Sequence, residues 1–218
     1  PQTIYQTNID SRNTIYLQTA ETPSNKRRGI GSASSITVVP DISVEMAFKP
    51  IGNLDGIAEL WLFNQATGKY VRVSARAGNF GSDKVIIAEV SGQGSRTSPN
   101  PVFAWSEWLT FKVEGKEGKI VISLLDASGG VRWSTTYDVT LSSLFSSFNI
   151  ALSQELGTPY SGPTWYMKSY IDYVKVTQVN RIYKSVILKI DKTAPSTNIS
   201  LGGTLGSNGW YVSDVTVT

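Results

Sequence analysis

Short runs of alternating apolar and polar residues, cut by glycine, asparagine and aspartate, leave this chain little to fold into except antiparallel sheets. The run SVEMAF (43–48) puts Val44, Met46 and Phe48 on one side and Ser43, Glu45 and Ala47 on the other, as happens along any pleated strand. IAELWLF (57–63) and YVRVSA (70–75) flank NQATG (64–68), where Gly68 supplies the positive φ that a tight hairpin turn demands. KVIIAEV (84–90), WLTFKVE (108–114), KIVISLL (119–125), VRWSTTY (131–137), FNIALS (148–153) and TWYMKSYIDYVKVT (164–177) continue the pattern, with DASGG (126–130) as a further turn cluster. Only LSSLFSS (141–147) has helical spacing, and it is short. Proline falls at the joints, where no ladder N–H is needed. The pattern predicts an all-β, antiparallel β-sandwich of jelly-roll type over residues 1–179. A strand-like connector follows at 180–194, and a truncated second β module at 195–218.

Composition removes several classes of chemistry. The 218 residues contain no cysteine and no histidine, so disulfides, thiolate nucleophiles and the usual neutral-pH general base are all missing. Ser-His-Asp and zinc hydrolases are disfavoured on that ground. The net charge of +3 is spread out, and the basic cluster Lys26-Arg27-Arg28 sits in a loop rich in Pro, Ser and Asn. A solvated loop is the simpler reading than a nucleic-acid stripe. No run is apolar for long enough to span a membrane. Six Trp and ten Tyr give enough aromatic surface for a buried core and for a sugar platform besides.

The order VEMAFKP, the ELWLF hairpin, Trp105-Ser-Glu-Trp108 leading into LTFKVEGKEGKIVISLLDASGGVRW, and SYIDYVKVT resembles the concanavalin A-like lectin/glucanase superfamily over residues 33–178. That resemblance implies a two-sheet jelly roll hosting sugar-binding modules, glycanases, polysaccharide lyases or structural adhesion domains, so the site has to decide the function. The glucanase strand Glu-x-Asp-x-x-Glu is missing; Asp55 and Glu59 have the wrong spacing, and Glu45 and Glu59 lie on separate strands. IDKTAP (190–195) and SNGWYVSDVTVT (207–218) resemble the opening of the immunoglobulin-like repeats of prokaryotic surface and secreted proteins. The expectation is a non-catalytic extracellular or cell-surface module that binds glycan or adheres, within a longer polypeptide. A structural domain of a surface layer or filament and a glycan-cleaving enzyme are the alternatives.

Alternation also selects the candidate site residues. Glu59, Trp61 and Phe63 share a face opposite the aliphatic Ala58, Leu60 and Leu62, and Tyr70 with Arg72 extends that face across the hairpin. An aromatic ring stacks on a pyranose while a carboxylate takes hydroxyl hydrogen bonds, and burial against the core is the competing explanation for Trp61. Trp105, Tyr160 and Trp165 complete the aromatic candidates, the last two on the loop TPYSGPTW (158–165); Trp108 and Trp133 read as structural. Asp172 interrupts an apolar closing strand. The superfamily resemblance implies a structural Ca²⁺ there, with Asp10 as a partner ligand and pairing to Lys168 or Lys175 as the competing reading. Asn198-Ile-Ser200 is a glycosylation sequon. The alternating apolar residues at 210–217 call for a neighbouring strand, from a sheet edge of the main domain or from another copy of the chain.

Overall fold

The computed structural model describes residues 5–19, 28–52, 56–78, 82–156, 167–179 and 200–217. Lys26-Arg27, the aromatic loop 158–165, the connector 180–194 and Asn198 lie outside them. The chain divides into two compact units, Pro1–Arg181 and Ile182–Thr218.

In the first unit the strands run β1 (Tyr5–Ile9), β2 (Arg12–Thr19), β3 (Arg28–Gly31), β4 (Ile36–Thr37), β5 (Asp41–Gly52), β6 (Gly56–Asn64) and β7 (Lys69–Gly78). They continue as β8 (Asp83–Val90), β9 (Gly94–Thr97), β10 (Leu109–Lys116), β11 (Lys119–Asp126), β12 (Val131–Tyr137), β13 (Ser147–Leu156) and β14 (Met167–Val179). One sheet has the order β1-β2-β14-β5-β10-β11-β12; the other is β3-β13-β6-β7-β8-β9, with β4 paired to β13. Every pairing is antiparallel, and the two sheets pack as a sandwich.

The alternation read from sequence sets which residues meet in the middle. Val44, Met46 and Phe48 of β5 and Phe111 and Val113 of β10 face Leu60, Leu62, Val71, Val73, Phe148 and Leu152 of the opposite sheet in one buried cluster. Phe48 and Phe111, on neighbouring strands, have ring centroids 4.3 Å apart. Fully burying a side chain of this size contributes about 1.5–3 kcal/mol, so the interior, not the surface ion pairs, fixes the register. Trp133 faces inward and packs against this core, as its strand pattern predicts.

The predicted turns form where the glycines stand: Gly68 has φ 67° in the β6–β7 hairpin, and its N–H donates to the Asn64 carbonyl at 2.9 Å. The predicted helical turn, α1 (Leu141–Leu144), is capped by Thr140, whose hydroxyl accepts from the Ser143 N–H. The hairpin β1–β2 turns through Asp10 and Ser11 at positive φ (50° and 63°) without a glycine, and the sequence pattern alone does not announce it.

In the second unit β15 (Leu201–Gly202) pairs with β16 (Thr216–Val217), and Leu205 bridges to Tyr211. These strands pair with each other within the segment, which differs from the expected pairing with an edge of the main domain or of another copy. Trp210 (74%), Val212 (69%) and Val217 (63%) are largely exposed, as expected where a two-stranded ribbon has only one layer.

Candidate functional site

Across sheet β3-β13-β6-β7-β8-β9, residues directly opposite one another share a face, so the register builds the outer surface row by row. One row is Gly31, Ala151, Trp61, Arg72, Glu89 and Ser95; the next is Gly29, Ser153, Glu59, Ser74, Ile87 and Thr97. Tyr70 stands beside Phe63 in the row before them. Four sequence candidates, Glu59, Trp61, Tyr70 and Arg72, thus lie side by side on the face turned away from the core.

Glu59 is the unexpected member, because its side chain is 0% exposed although it points away from the sandwich interior. A buried carboxylate has to be hydrogen-bonded and paired. Here Trp61 Nε1 donates to Oε2 at 2.9 Å, Arg72 Nη1 donates to Oε1 at 3.3 Å, and the Ser153 hydroxyl also donates to Oε2. Arg72 turns its other arm to Glu89, Nη2 to Oε1 at 2.5 Å. One guanidinium therefore bridges two carboxylates while its Nε is buried without a hydrogen-bond partner. The same guanidinium lies 5.0 Å from the centroid of the Trp61 ring, and Tyr70 meets that ring at 5.3 Å with a 51° tilt. Tyr70 is itself held from behind, its backbone N–H donating to the Ser91 hydroxyl at 2.7 Å. Glu59 thus acts on this surface by fixing Trp61 and Arg72, and it is too buried to touch a ligand itself. Arg72 and Glu89, 20% and 23% exposed, are partly open to solvent.

Glu89 and Ser153 are absent from the candidates drawn from sequence. Both were visible as the polar members of alternating runs, Ile87/Glu89 in KVIIAEV and Ala151/Ser153 in FNIALS, yet only the inter-strand register shows that they converge on Arg72 and Glu59. Trp105 is not in this group: it packs against the core with its ring edge-on to Phe103 at 6.3 Å. Tyr160 and Trp165 fall outside the described residues.

The two aspartates considered for a metal gather on the other sheet. Asp172 is the extra residue of a β-bulge between Ile171 and Tyr173, and it accepts from Arg12 Nη1 at 2.5 Å. Its described partner is thus Arg12 rather than Lys175, and the Lys168 side chain lies outside the described residues. Asp10 accepts from Lys49 Nζ at 2.6 Å and from Trp108 Nε1 at 2.8 Å. Arg12 lies over the Trp108 ring at 4.6 Å. The hydrogen bonds from Lys49 and then Trp108 hold the Asp10 carboxyl below its usual 3.8. Ca²⁺ takes six to eight oxygens, whereas two protein cations already occupy these carboxylates. Among the described residues no cluster of three or more Asp, Glu, His or Cys could hold a metal. The arrangement does not fit a divalent cation; it fits a clip that ties the β1–β2 hairpin to β5, β14 and the loop entering β10.

No helix among the described residues is long and apolar enough to cross a membrane. No protein-family model matches the sequence, and no curated protein matches it. Solved structures do. The CBM2 module of the evolved Dit protein of Lactobacillus casei BL23 phage J-1 superposes with a TM-score of 0.57 at 13% identity, covering 82% of this chain and 83% of that one. Bacillus licheniformis β-glucanase gives 0.54 at 14% identity, covering 81% and 82%. The lectin UEA-II complexed with galactose gives 0.53 at 12% identity, covering 76% and 88%. At such identities the property held in common is the fold: an antiparallel two-sheet jelly-roll sandwich.

Proposed function

We propose that this protein is a non-catalytic glycan-binding module, and that the ligand lies across Trp61, Tyr70, Arg72 and Glu89. The observation that carries the reading is the Arg72 bridge. Glycosidases need two carboxyl groups flanking the scissile bond, about 5–5.5 Å apart for retention or about 6.5–9.5 Å for inversion, with the sugar between them. Here a guanidinium occupies the space between Glu59 and Glu89, and the Glu59 oxygens are buried against three protein donors. What remains reachable is an aromatic pair flanked by an arginine and a glutamate, a set that stacks on a sugar ring and exchanges hydrogen bonds with its hydroxyls. Similarity to a lectin, a carbohydrate-binding module and a β-glucanase supports a glycan as the ligand class. The wider reading keeps an extracellular or cell-surface setting, with residues 195–218 opening a further immunoglobulin-like module that contacts its neighbours.

Affinity electrophoresis of the whole chain through gels containing soluble polysaccharides, alongside a reducing-end assay, tests this. Retardation by at least one polysaccharide, weakened in Tyr70→Ala and accompanied by no reducing-end release, is expected. Release of reducing ends that disappears in Glu89→Gln makes the protein an enzyme. Migration unaffected by every polysaccharide makes it a structural domain.

A further inference from the structure

β12 closes the order β1-β2-β14-β5-β10-β11-β12, so one side of its backbone has no strand beside it among the described residues. Such a row of unpaired N–H and C=O groups is a template for another chain, and native edges are blunted by shortness, lysine, proline or a bulge. β3 and β9, which end the other sheet, have 4 residues each and carry glycine and arginine; β1 has 5. β12 has 7, with neither lysine nor proline among them. Its irregularity lies at the start, where the register passes from Leu125↔Val131 to Leu124↔Trp133 and leaves Arg132 as a bulge. After Tyr137 the chain bends at Asp138. The regular edge is therefore the run 133–137, Trp-Ser-Thr-Thr-Tyr, rich in strand-forming residues and exposed at Ser134 and Thr136.

We propose that β12 of a second copy of the chain occupies this edge, paired antiparallel about a two-fold axis through Thr135. Two observations fix the same register. Full overlap of the run 133–137 with its copy sets Thr135 opposite Thr135, Ser134 opposite Thr136, and Trp133 opposite Tyr137. The charges that flank the run then meet with opposite sign, Arg132 of each copy beside Asp138 of the other. Within its own chain Arg132 pairs with Glu107 at 2.8 Å and Asp138 with Lys119 at 3.0 Å, and both keep open surface, 37% and 82% exposed. Each end of the interface thus lines up Glu107, Arg132, Asp138 and Lys119 in alternating sign. A slip of one residue sets Trp133, which faces the core, against the outward Thr136, and longer slips shorten the run and part the charges. A strand from an unrelated protein would use the same backbone groups, whereas a second β12 also returns both charges in complementary order. Residues opposite one another across such a pair share a face, so the outer face of β3-β13-β6-β7-β8-β9 points the same way in both copies. A polysaccharide on that face then meets two sites at once; this consequence rests on the glycan reading, and the pairing does not.

Sedimentation equilibrium of the whole chain without glycan, over a wide range of concentration, tests the pairing. A monomer–dimer equilibrium that weakens with salt is expected. Asp138→Arg sets like charges together at both ends and is expected to weaken the dimer about tenfold or more; Arg132→Glu/Asp138→Arg is expected to restore it. The chain has no cysteine, so an introduced thiol is the sole one. Opposite Cα atoms in an antiparallel pair stand about 4.5–5.5 Å apart, within disulfide reach, and Thr135→Cys is expected to oxidise readily to a covalent dimer. Ser134→Cys places its two thiols off the axis, with Cα atoms about 8 Å apart and beyond that reach, and is expected to cross-link slowly. A chain that stays monomeric at every concentration overturns the proposal and leaves the edge to a foreign strand. A dimer that Asp138→Arg leaves intact, or in which Ser134→Cys cross-links as fast as Thr135→Cys, uses another surface and overturns it equally. None of these readouts involves a glycan, so the glycan reading stands or falls separately.

Discussion

The Glu59–Arg72–Glu89 bridge makes an ordered prediction about stability, because its three members differ in burial and in what each leaves behind. Arg72→Ala is the harshest change. It takes the guanidinium from Glu59, whose side chain is 0% exposed, and breaking a buried pair by removing one partner costs about 3–5 kcal/mol. Glu59→Gln is milder, since Arg72 keeps Glu89 at 2.5 Å. It replaces a carboxylate that accepts three donors by an amide with one accepting oxygen, so at least one buried donor is orphaned at about 1–3 kcal/mol. Glu89→Gln is mildest, as that side chain is 23% exposed and solvent takes over much of its role, at about 0–1 kcal/mol. For a domain of this size 1 kcal/mol moves the melting temperature by about 2–4 °C, so Arg72→Ala is expected to melt roughly 6–20 °C lower. The double variant Glu59→Leu/Arg72→Leu is expected to lose less than Glu59→Leu and Arg72→Leu combined, because apolar replacement of a whole buried pair is often neutral. Urea unfolding followed by tryptophan fluorescence reads all of these. An Arg72→Ala protein no less stable than Glu89→Gln, or strict additivity in the double variant, would refute the reasoning.

Tyr137 is buried with its hydroxyl donating to the Ala88 carbonyl at 2.8 Å, so Tyr137→Phe is expected to cost about 1–2 kcal/mol in the same unfolding experiment. Burial pushes its ionisation above the usual 10.0, so its contribution is complete below pH 10 and is lost as the pH rises through the higher folded value; the wild type should lose stability there faster than the Phe variant. In acid the sign reverses: Asp10, bound by Lys49 and Trp108, and Asp126, bound by Ser128 and Gly130, ionise below the usual 3.8. Their contributions are present above that value and lost as pH falls below it, and melts between pH 5 and 2 should show a shallower loss in Asp126→Asn. Calcium is expected to leave the melt unchanged, since Arg12 and Lys49 already hold Asp172 and Asp10; a rise over a chelator control that vanishes in Asp172→Asn would restore the metal site.

Much of the fold was legible because one face of nearly every strand is apolar, and alternation then states which residues go inward. Val44, Met46 and Phe48 illustrate it, as do the turn at Gly68 and the lone helical turn at 141–144. The β1–β2 hairpin was not legible, because Asp10 and Ser11 take positive φ where a reader expects glycine. Four of the six site residues were legible for the same reason that the core was: Glu59, Trp61, Tyr70 and Arg72 fall on one face by parity and are joined by one hairpin. Glu89 and Ser153 come from strands whose register is set by packing, so no local pattern ties them to Glu59. Burial was the larger surprise. Parity puts Glu59 on the outer face, where a carboxylate is expected to be accessible, whereas its side chain is 0% exposed and accepts from Trp61, Arg72 and Ser153.

That closure bears on how binding and cleavage divide on a single architecture. A β-glucanase and a lectin superpose on this chain with nearly equal scores, 0.54 and 0.53, so the division cannot be read from the backbone. It lies in what occupies the space between acidic side chains on the exposed face. A hydrolase keeps that space open for a glycosidic oxygen and a water, and keeps one carboxyl group free to give up a proton. In this chain the space holds the Arg72 guanidinium, and the most central carboxylate, Glu59, is committed to the indole, hydroxyl and guanidinium donors around it. Evolving cleavage here would require removing Arg72, and that same step strands Glu59 and destabilises the sheet. The bridge therefore both sustains the surface and fills space that a hydrolase keeps open, and that is the physical ground for our proposal that this face holds a glycan rather than cuts it.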